Sequence, residues 1–149
     1  MSIINVVGAK IWGGGEQYVY DICKQLQQRH RTAYILVDQS NEDMQSRYAQ
    51  VGHVMTANLY TLKGFLSVNA VAKQVKAQGI DTIVCHSGKY ILFCIALKQL
   101  TGAKLVFIKH NLVPGKTDMY HRWINAQVDA FVCVSKLVYD DLMTPVIKD

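Results

Sequence analysis

Residues 3–16 read Ile3-Ile4-Asn5-Val6-Val7-Gly8-Ala9-Lys10-Ile11-Trp12-Gly13-Gly14-Gly15-Glu16. A β-branched apolar run stops at a glycine. A triple glycine then opens a stretch in which Tyr18, Val19, Ile22, Cys23 and Leu26 recur at steps of three and four. The first pattern is that of a strand buried on both faces, the second that of an amphipathic helix. Together they make a strand, a glycine-rich loop and a helix.

The same alternation continues outward from this unit. Ala33–Val37, Thr82–Cys85, Leu105–Ile108 and Phe131–Val134 are short, apolar and rich in branched residues, and His53-Val54-Met55 is a weaker candidate. Between them lie helical patterns. Leu62, Phe65, Leu66, Val71, Ala72 and Val75 share one face, and Gly79 is placed to end that helix. Tyr90 to Leu100 is apolar nearly all round, which predicts a buried helix; residues 117–126 and 136–143 are shorter candidates. Strands alternating with helices through short loops predict an α/β fold. The expectation is a doubly wound, Rossmann-like, mostly parallel sheet of about six strands with helices on both faces. No internal repeat or linker divides residues 1–149, which read as one domain. Met143–Asp149, with Pro145, reads as chain leaving it.

Composition narrows the class. With 149 residues and 50% hydrophobic content, the chain can bury a real core. The longest apolar run, Tyr90–Leu97, is far short of the roughly 20 residues that cross a bilayer. The start, Met1-Ser2-Ile3-Ile4, lacks the basic and long apolar regions of a secretory signal, so a cytoplasmic protein is expected. The net charge of +5 is a mild excess. The densest basic cluster, Arg29-His30-Arg31, falls at a helix end, where cations complement the dipole. Nucleic-acid binding, which needs denser basic clusters with aromatics, is not expected. Attraction to anionic lipid stays open. Cys23, Cys85, Cys94 and Cys133 form no C-x-x-C and lie in apolar stretches, which predicts reduced, buried thiols.

In such sheets ligands bind beyond the carboxyl ends of the strands. That rule selects the loop 8–16, Asp38–Asn41, His86–Lys89, Lys109-His110-Asn111 and Ser135-Lys136. Gly13, Gly14 and Gly15 are the strongest feature. They let backbone amides approach a ligand and open a helix whose N-terminus favours anions, so phosphate or diphosphate is the natural guest. Glu16 either stabilises the helix start or orients a ligand hydroxyl. His110 and His86 are either structural or placed to donate to a hydroxyl or phosphate. Several templates fail. G-x-G-x-x-G would need glycine at Tyr18, although Asp38 sits where a ribose-binding acid would. Gly115-Lys116-Thr117 imitates the end of a P-loop, but that motif's first glycine would fall on His110. No G-x-S-x-G elbow exists. Nothing in the spacing of His86, His110 and Cys133 supports a zinc site, and no metal is expected.

Five stretches taken together resemble a known family. They are Trp12-Gly13-Gly14-Gly15-Glu16; the first helix ending near Gln28-Arg29-His30; Asp81 to Ser87; Phe107-Ile108-Lys109-His110-Asn111; and Val128 to Lys136. The set is similar to the N-terminal half of a GT-B glycosyltransferase of the large retaining family called group 1 or family 4, and it covers residues 3 to about 142. The resemblance implies that Gly13, Gly14 and Gly15 line the cleft where a nucleotide sugar's diphosphate meets the acceptor, with Glu16 opening the helix there. It implies that His110 projects toward the transferred sugar and acts in catalysis, and that Ser135 matches the serine ending the last strand. His86, Lys109 and Asn111 would lie on the acceptor side. The His86-Ser87-Gly88 stretch departs from the family's second histidine, and Gly15 stands where alanine is usual.

The resemblance further implies a second, C-terminal domain that carries most nucleotide contacts and is absent from these 149 residues, which alone would be inactive. The full protein would use no cofactor beyond the nucleotide-sugar co-substrate. It would act on a glycan or lipid-linked acceptor, in cell-surface polysaccharide synthesis, in the cytoplasm and docked peripherally on the inner face of an anionic membrane. A stand-alone nucleotide- or dinucleotide-binding module and a non-catalytic α/β interaction domain are the alternatives on the same fold.

Overall fold

A computed structural model describes residues 2–60, 65–109 and 118–133. The elements in chain order are β1 (Ile3–Val7), α1 (Gly14–Gln28), β2 (Tyr34–Asp38), α2 (Glu42–Ala49), β3 (His53–Ala57), α3 (Phe65–Ala77), β4 (Thr82–Cys85), a short 3₁₀ turn (Gly88–Tyr90), α4 (Ile91–Thr101), β5 (Lys104–Lys109), α5 (Met119–Gln127) and β6 (Ala130–Cys133). All six strands pair in parallel in the order β3-β2-β1-β4-β5-β6. This is the doubly wound order, with the sense of travel reversing between β1 and β4.

Alternate residues of each strand feed two separate cores. Val7, Ile35 and Val37 pack with Val19 and Cys23 of α1 and Met44 and Tyr48 of α2. Ile4, Val6, Leu36, Ile83 and Leu105 point the other way, onto Val71 and Val75 of α3, Phe93 and Leu97 of α4, and Ile124 of α5. A strand buried on both faces cannot alternate polar and apolar residues, which is why these runs are continuous. Each fully buried aliphatic side chain contributes about 1.5–3 kcal/mol of transfer free energy.

All six expected strands are present, including the weak one at 53, each within one or two residues of its expected bounds. Gly79 and Gly102 end α3 and α4 with φ of +66° and +73°, a left-handed conformation that glycine adopts without Cβ strain. Helix α4 is buried at Ile91, Phe93, Cys94, Ile95 and Leu97, but Leu92 is exposed. The candidate helix at 136–143 and the chain from Met143 onward lie outside the described residues. Cys23, Cys85 and Cys94 are buried free thiols, and Cys133 is half-buried. Burial pushes the Cys23 thiol up to about 11 and raises Cys94 as well. Among the described residues no helix is long and apolar enough to cross a membrane.

Candidate functional site

The carboxyl ends of β1 and β4 border the point where the strand order reverses. A cleft of about 1010 Å³ opens there. Its lining includes Lys10, Gly13, Gly14, Gly15 and Glu16 from the β1–α1 loop, and Asp38 and Gln39 after β2. Asn58 and Tyr60 follow β3, and His86 and Lys89 follow β4. The sheet thus brings Gly13, Gly14, Gly15, Glu16 and His86 to one site. Lys109 ends β5, half-buried, and does not line this cleft. His110, Asn111 and Ser135 lie outside the described residues.

The loop 8–13 is held from behind. Asn41 Nδ2 donates to the carbonyls of Ala9 (3.1 Å) and Lys10 (3.4 Å), and the Tyr60 hydroxyl donates to the carbonyl of Gly8. The buried Tyr48 hydroxyl donates to the carbonyl of Glu16 at 2.9 Å. Trp12 packs against Tyr20 and Tyr48, sends its indole N–H to Gln17 Oε1 (3.1 Å), and lies under the Arg47 guanidinium at 4.8 Å. Side chains from α2 and the β2 and β3 loops therefore take up the loop's carbonyls. The first turn of α1, which follows the loop, borders the cleft.

Helix α1 begins at this loop with Gly13 as N-cap. The Glu16 carboxylate accepts the Gly13 N–H at 2.9 Å. Glycine has no side chain to return the bond, so only one half of a capping box forms. The geometry favours the helix-start reading of Glu16. The first-turn amides of Gly14, Gly15 and Glu16 have no intrahelical partner, as at any helix start, and they open on the cleft with Lys10 and Lys89. The lining therefore combines amide donors and two lysines with the Glu16 and Asp38 carboxylates, both already hydrogen-bonded.

Asp38 is 6% exposed. One carboxylate oxygen accepts the Leu59 N–H at 3.0 Å; the other accepts the Ser40 N–H at 3.2 Å and the Ser40 hydroxyl. This carboxylate joins the β2 and β3 loops, which disfavours the ribose-binding role its position suggests. His86 Nε2 lies 3.0 Å from Asn5 Oδ1, a bond that ties the end of β4 to the buried polar residue of β1. Cys85 Sγ donates to the Ser87 carbonyl (3.1 Å), and Ser87 Oγ accepts the Lys89 N–H (3.2 Å), so the β4 loop is shaped by its own side chains. Burial, then the Asp38 and Glu16 carboxylates, raise the pKa of Tyr60 above the ordinary phenol and keep it a neutral donor. Among the described residues no group of three or more His, Cys, Asp or Glu gathers to hold a metal.

Sequence reasoning missed the residues that shape this site without touching a motif. Gly8 is one: a Cβ there would lie 2.7 Å from Tyr90 Cδ1 and 3.0 Å from Leu59 Cδ1. The signal was a glycine directly after a buried strand. Asn5 is another, flagged only as the one polar residue in Ile3–Val7. Tyr48 and Tyr60 carried no local signal, because their partners lie 32 and 52 residues away. Asn41 lies in the selected stretch Asp38–Asn41, but its hold on Ala9, 32 residues away, left no pattern.

The model of the family Glycosyltransferase Family 4 matches residues 12–146. A glycosyltransferase from Rickettsia africae ESF-5 has a similar structure, with a TM-score of 0.74 at 18% identity over 95% of this chain and 38% of that one. Anabaena Alr3699/HepE, solved in complex with UDP-glucose, gives 0.68 at 18% identity over 99% and 40%. Acinetobacter baumannii MurG gives 0.65 at 12% over 89% and 41%. At these identities the likeness is one of fold, and the chain spans about two fifths of the length of each of these structures. A search of the curated proteins found no match. The family match runs from the glycine loop past the last described strand, and the chain belongs to Glycosyltransferase Family 4.

Proposed function

We propose that the chain is the N-terminal, acceptor-side domain of a retaining glycosyltransferase that moves a sugar from a nucleotide sugar to a glycan or lipid-linked acceptor. The observation that carries this reading is the cleft. Amides of a glycine-opened helix and two lysines converge at the sheet's switch point, where negative charge grows on a departing diphosphate. Solved structures of similar fold include one in complex with UDP-glucose, which supports a nucleotide sugar as the guest. A second domain completes the donor site in this reading, so the 149 residues alone do not turn over.

Within it, Gly13, Gly14, Gly15, Glu16 and Ser135 belong to the substrate- and diphosphate-binding side, His110 borders the transferred sugar, and His86, Lys109 and Asn111 belong to the acceptor side. His110 is the residue placed in catalysis. Replacing it by alanine in the native full-length protein lowers kcat by more than about tenfold, a threshold set below the roughly hundredfold or more that one positioned proton-transfer group supplies. An unchanged kcat removes that role. Peripheral docking on an anionic membrane face belongs to the same reading. Sedimentation with vesicles containing phosphatidylglycerol shows binding at low salt that is lost at high salt; absence of binding at low salt removes it.

A further inference from the structure

Tyr60 is the one aromatic among the described cleft-lining residues that stays substantially exposed, at 42%. Its ring is not free to turn away. The hydroxyl is anchored on the Gly8 carbonyl, and the buried Tyr90 ring meets it edge-on at 6.3 Å and 87°. An aromatic fixed at its polar tip and braced at one side presents a rigid apolar face to the cleft, with no ordering cost left for a ligand that stacks on it. Two carboxamides, Gln39 and Asn58, line the cleft with it, as does the Glu16 carboxylate, which accepts the Gly13 N–H. Asn58 Oδ1 accepts the Tyr60 N–H at 3.2 Å, so its Nδ2 is left to donate, and the exposed Gln39 carboxamide takes no partner among the described residues. The nearby carboxylate, Asp38, is occupied by Leu59 and Ser40.

An apolar ring face in a cleft lined by carboxamides and a carboxylate suits a pyranose, whose C–H face lies on an aromatic ring while its hydroxyls bond to such groups. A nucleoside could stack on the same ring, and the probes below separate the two. We infer that Tyr60, with Gln39 and Asn58, forms a sugar-ring subsite on the β2–β3 side of the cleft. The inference rests on the glycosyl-transfer reading and deepens it; the sugar can belong to the acceptor or to the donor.

The test follows the Tyr60 ring signal by NMR, assigned with Tyr60→Phe, while the native full-length protein is titrated with probes. These are methyl glycosides of glucose, galactose and N-acetylglucosamine, then UDP-glucose, UDP and AMP. A shift with a methyl glycoside supports the subsite and makes the ring an acceptor's. A shift with UDP-glucose but not UDP supports it and makes the ring the donor's. A shift with AMP or UDP alone overturns it in favour of base stacking. No shift with any sugar probe up to about 50 mM, beyond the range of weak single-ring binding, also overturns it. Tyr60→Ala weakens the sugar affinity by about tenfold, the scale of one lost aromatic face. Gln39→Ala touches nothing in either core and decides the matter if Tyr60→Ala does not fold. It weakens binding by about threefold with the melting temperature kept, as expected for one lost hydrogen bond; unchanged affinity overturns the assignment. Transfer activity of the native protein without any Tyr60 response removes the subsite alone, whereas a Tyr60 response without transfer removes the enzymatic reading alone.

Discussion

At the scale of the residue, the cleft depends on side chains that never touch its guest. Gly8 leaves room for Tyr90 and Leu59 where β1 ends. Gly8→Ala would place a Cβ 2.7 Å from a buried ring and should destabilise by about 1–3 kcal/mol, the usual cost of overpacking. Urea unfolding should show a lower midpoint with the same slope; an unchanged midpoint would mean that Tyr90 moves aside without cost. Tyr48→Phe removes the donor to the Glu16 carbonyl and keeps the ring among Trp12, Tyr20 and the α1 core. It should cost about 1 kcal/mol, the net worth of one hydrogen bond, and speed amide exchange across the first turn of α1. Equal exchange rates would show that Trp12 alone holds the loop. Neither residue is legible as functional from the sequence, because a loop carbonyl's partner is fixed by tertiary placement and leaves no spacing pattern.

Elements differ in how much the sequence reveals of them. Strands β1, β2 and β4 were legible because burial on both faces writes a nearly unbroken apolar run. Strand β6 reads the same although Phe131 and Val132 are exposed at the sheet edge. Helices α1, α3 and α4 were legible because three or more turns carry apolar residues. Helix α2 was expected only as the connection between two strands. It has eight residues, and Met44 and Tyr48 are its two buried ones, too few for a periodic signal. Its start is set instead by Asn41, whose Oδ1 caps Met44 N–H at 3.1 Å. At the other sheet edge, β6 is held by Asp129. Its carboxylate accepts the Leu105 N–H at 2.7 Å and meets Lys98 Nζ at 3.1 Å. The Leu105 N–H first, and then Lys98, lower its pKa below the ordinary aspartate value. Asp81, through the Thr82 hydroxyl and then the Ser2 N–H, and Asp118, through the His121 N–H, shift in the same direction. A lowered folded pKa contributes stability that is present above the unfolded value, about 3.9, and lost as the pH falls through the folded one. Asp129→Asn should therefore be less stable than the wild type at pH 7, with the gap closing as the pH drops below about 4. A gap that stays constant to pH 2.5 would show that the carboxylate's charge is not what holds β6.

On the scale of the whole molecule, topology makes the site. Reversal of strand order between β1 and β4 leaves the two loops without a helix between them, and the glycine loop and His86 meet across that opening. The sequence placed Gly13, Gly14, Gly15, Glu16 and His86 on one edge by the carboxyl-end rule alone. The same rule selected Asp38–Asn41, which holds Gln39, but the part of the wall after β3, Asn58 and Tyr60, escaped it. Gln39 and Asn58 come from loops 19 positions apart, and only the parallel pairing of β2 with β3 sets them side by side. The account also separates this cleft from a dinucleotide site. Thermal unfolding should be shifted upward by UDP-sugars and not by NAD, since Asp38 is already bonded; stabilisation by NAD alone would reverse that. The most direct test of glycosyl transfer at this cleft is Gly14→Asp in the native full-length protein. A Cβ at Gly14 meets nothing within 4 Å, and an acid in the first helical turn favours the fold. The same carboxylate would repel an arriving diphosphate. Sugar transfer from a nucleotide-sugar donor should fall by at least about a hundredfold, as when one group stabilising the transition-state charge is lost, with the melting temperature unchanged. Transfer at the wild-type rate would contradict the assignment of the glycine loop to the departing diphosphate.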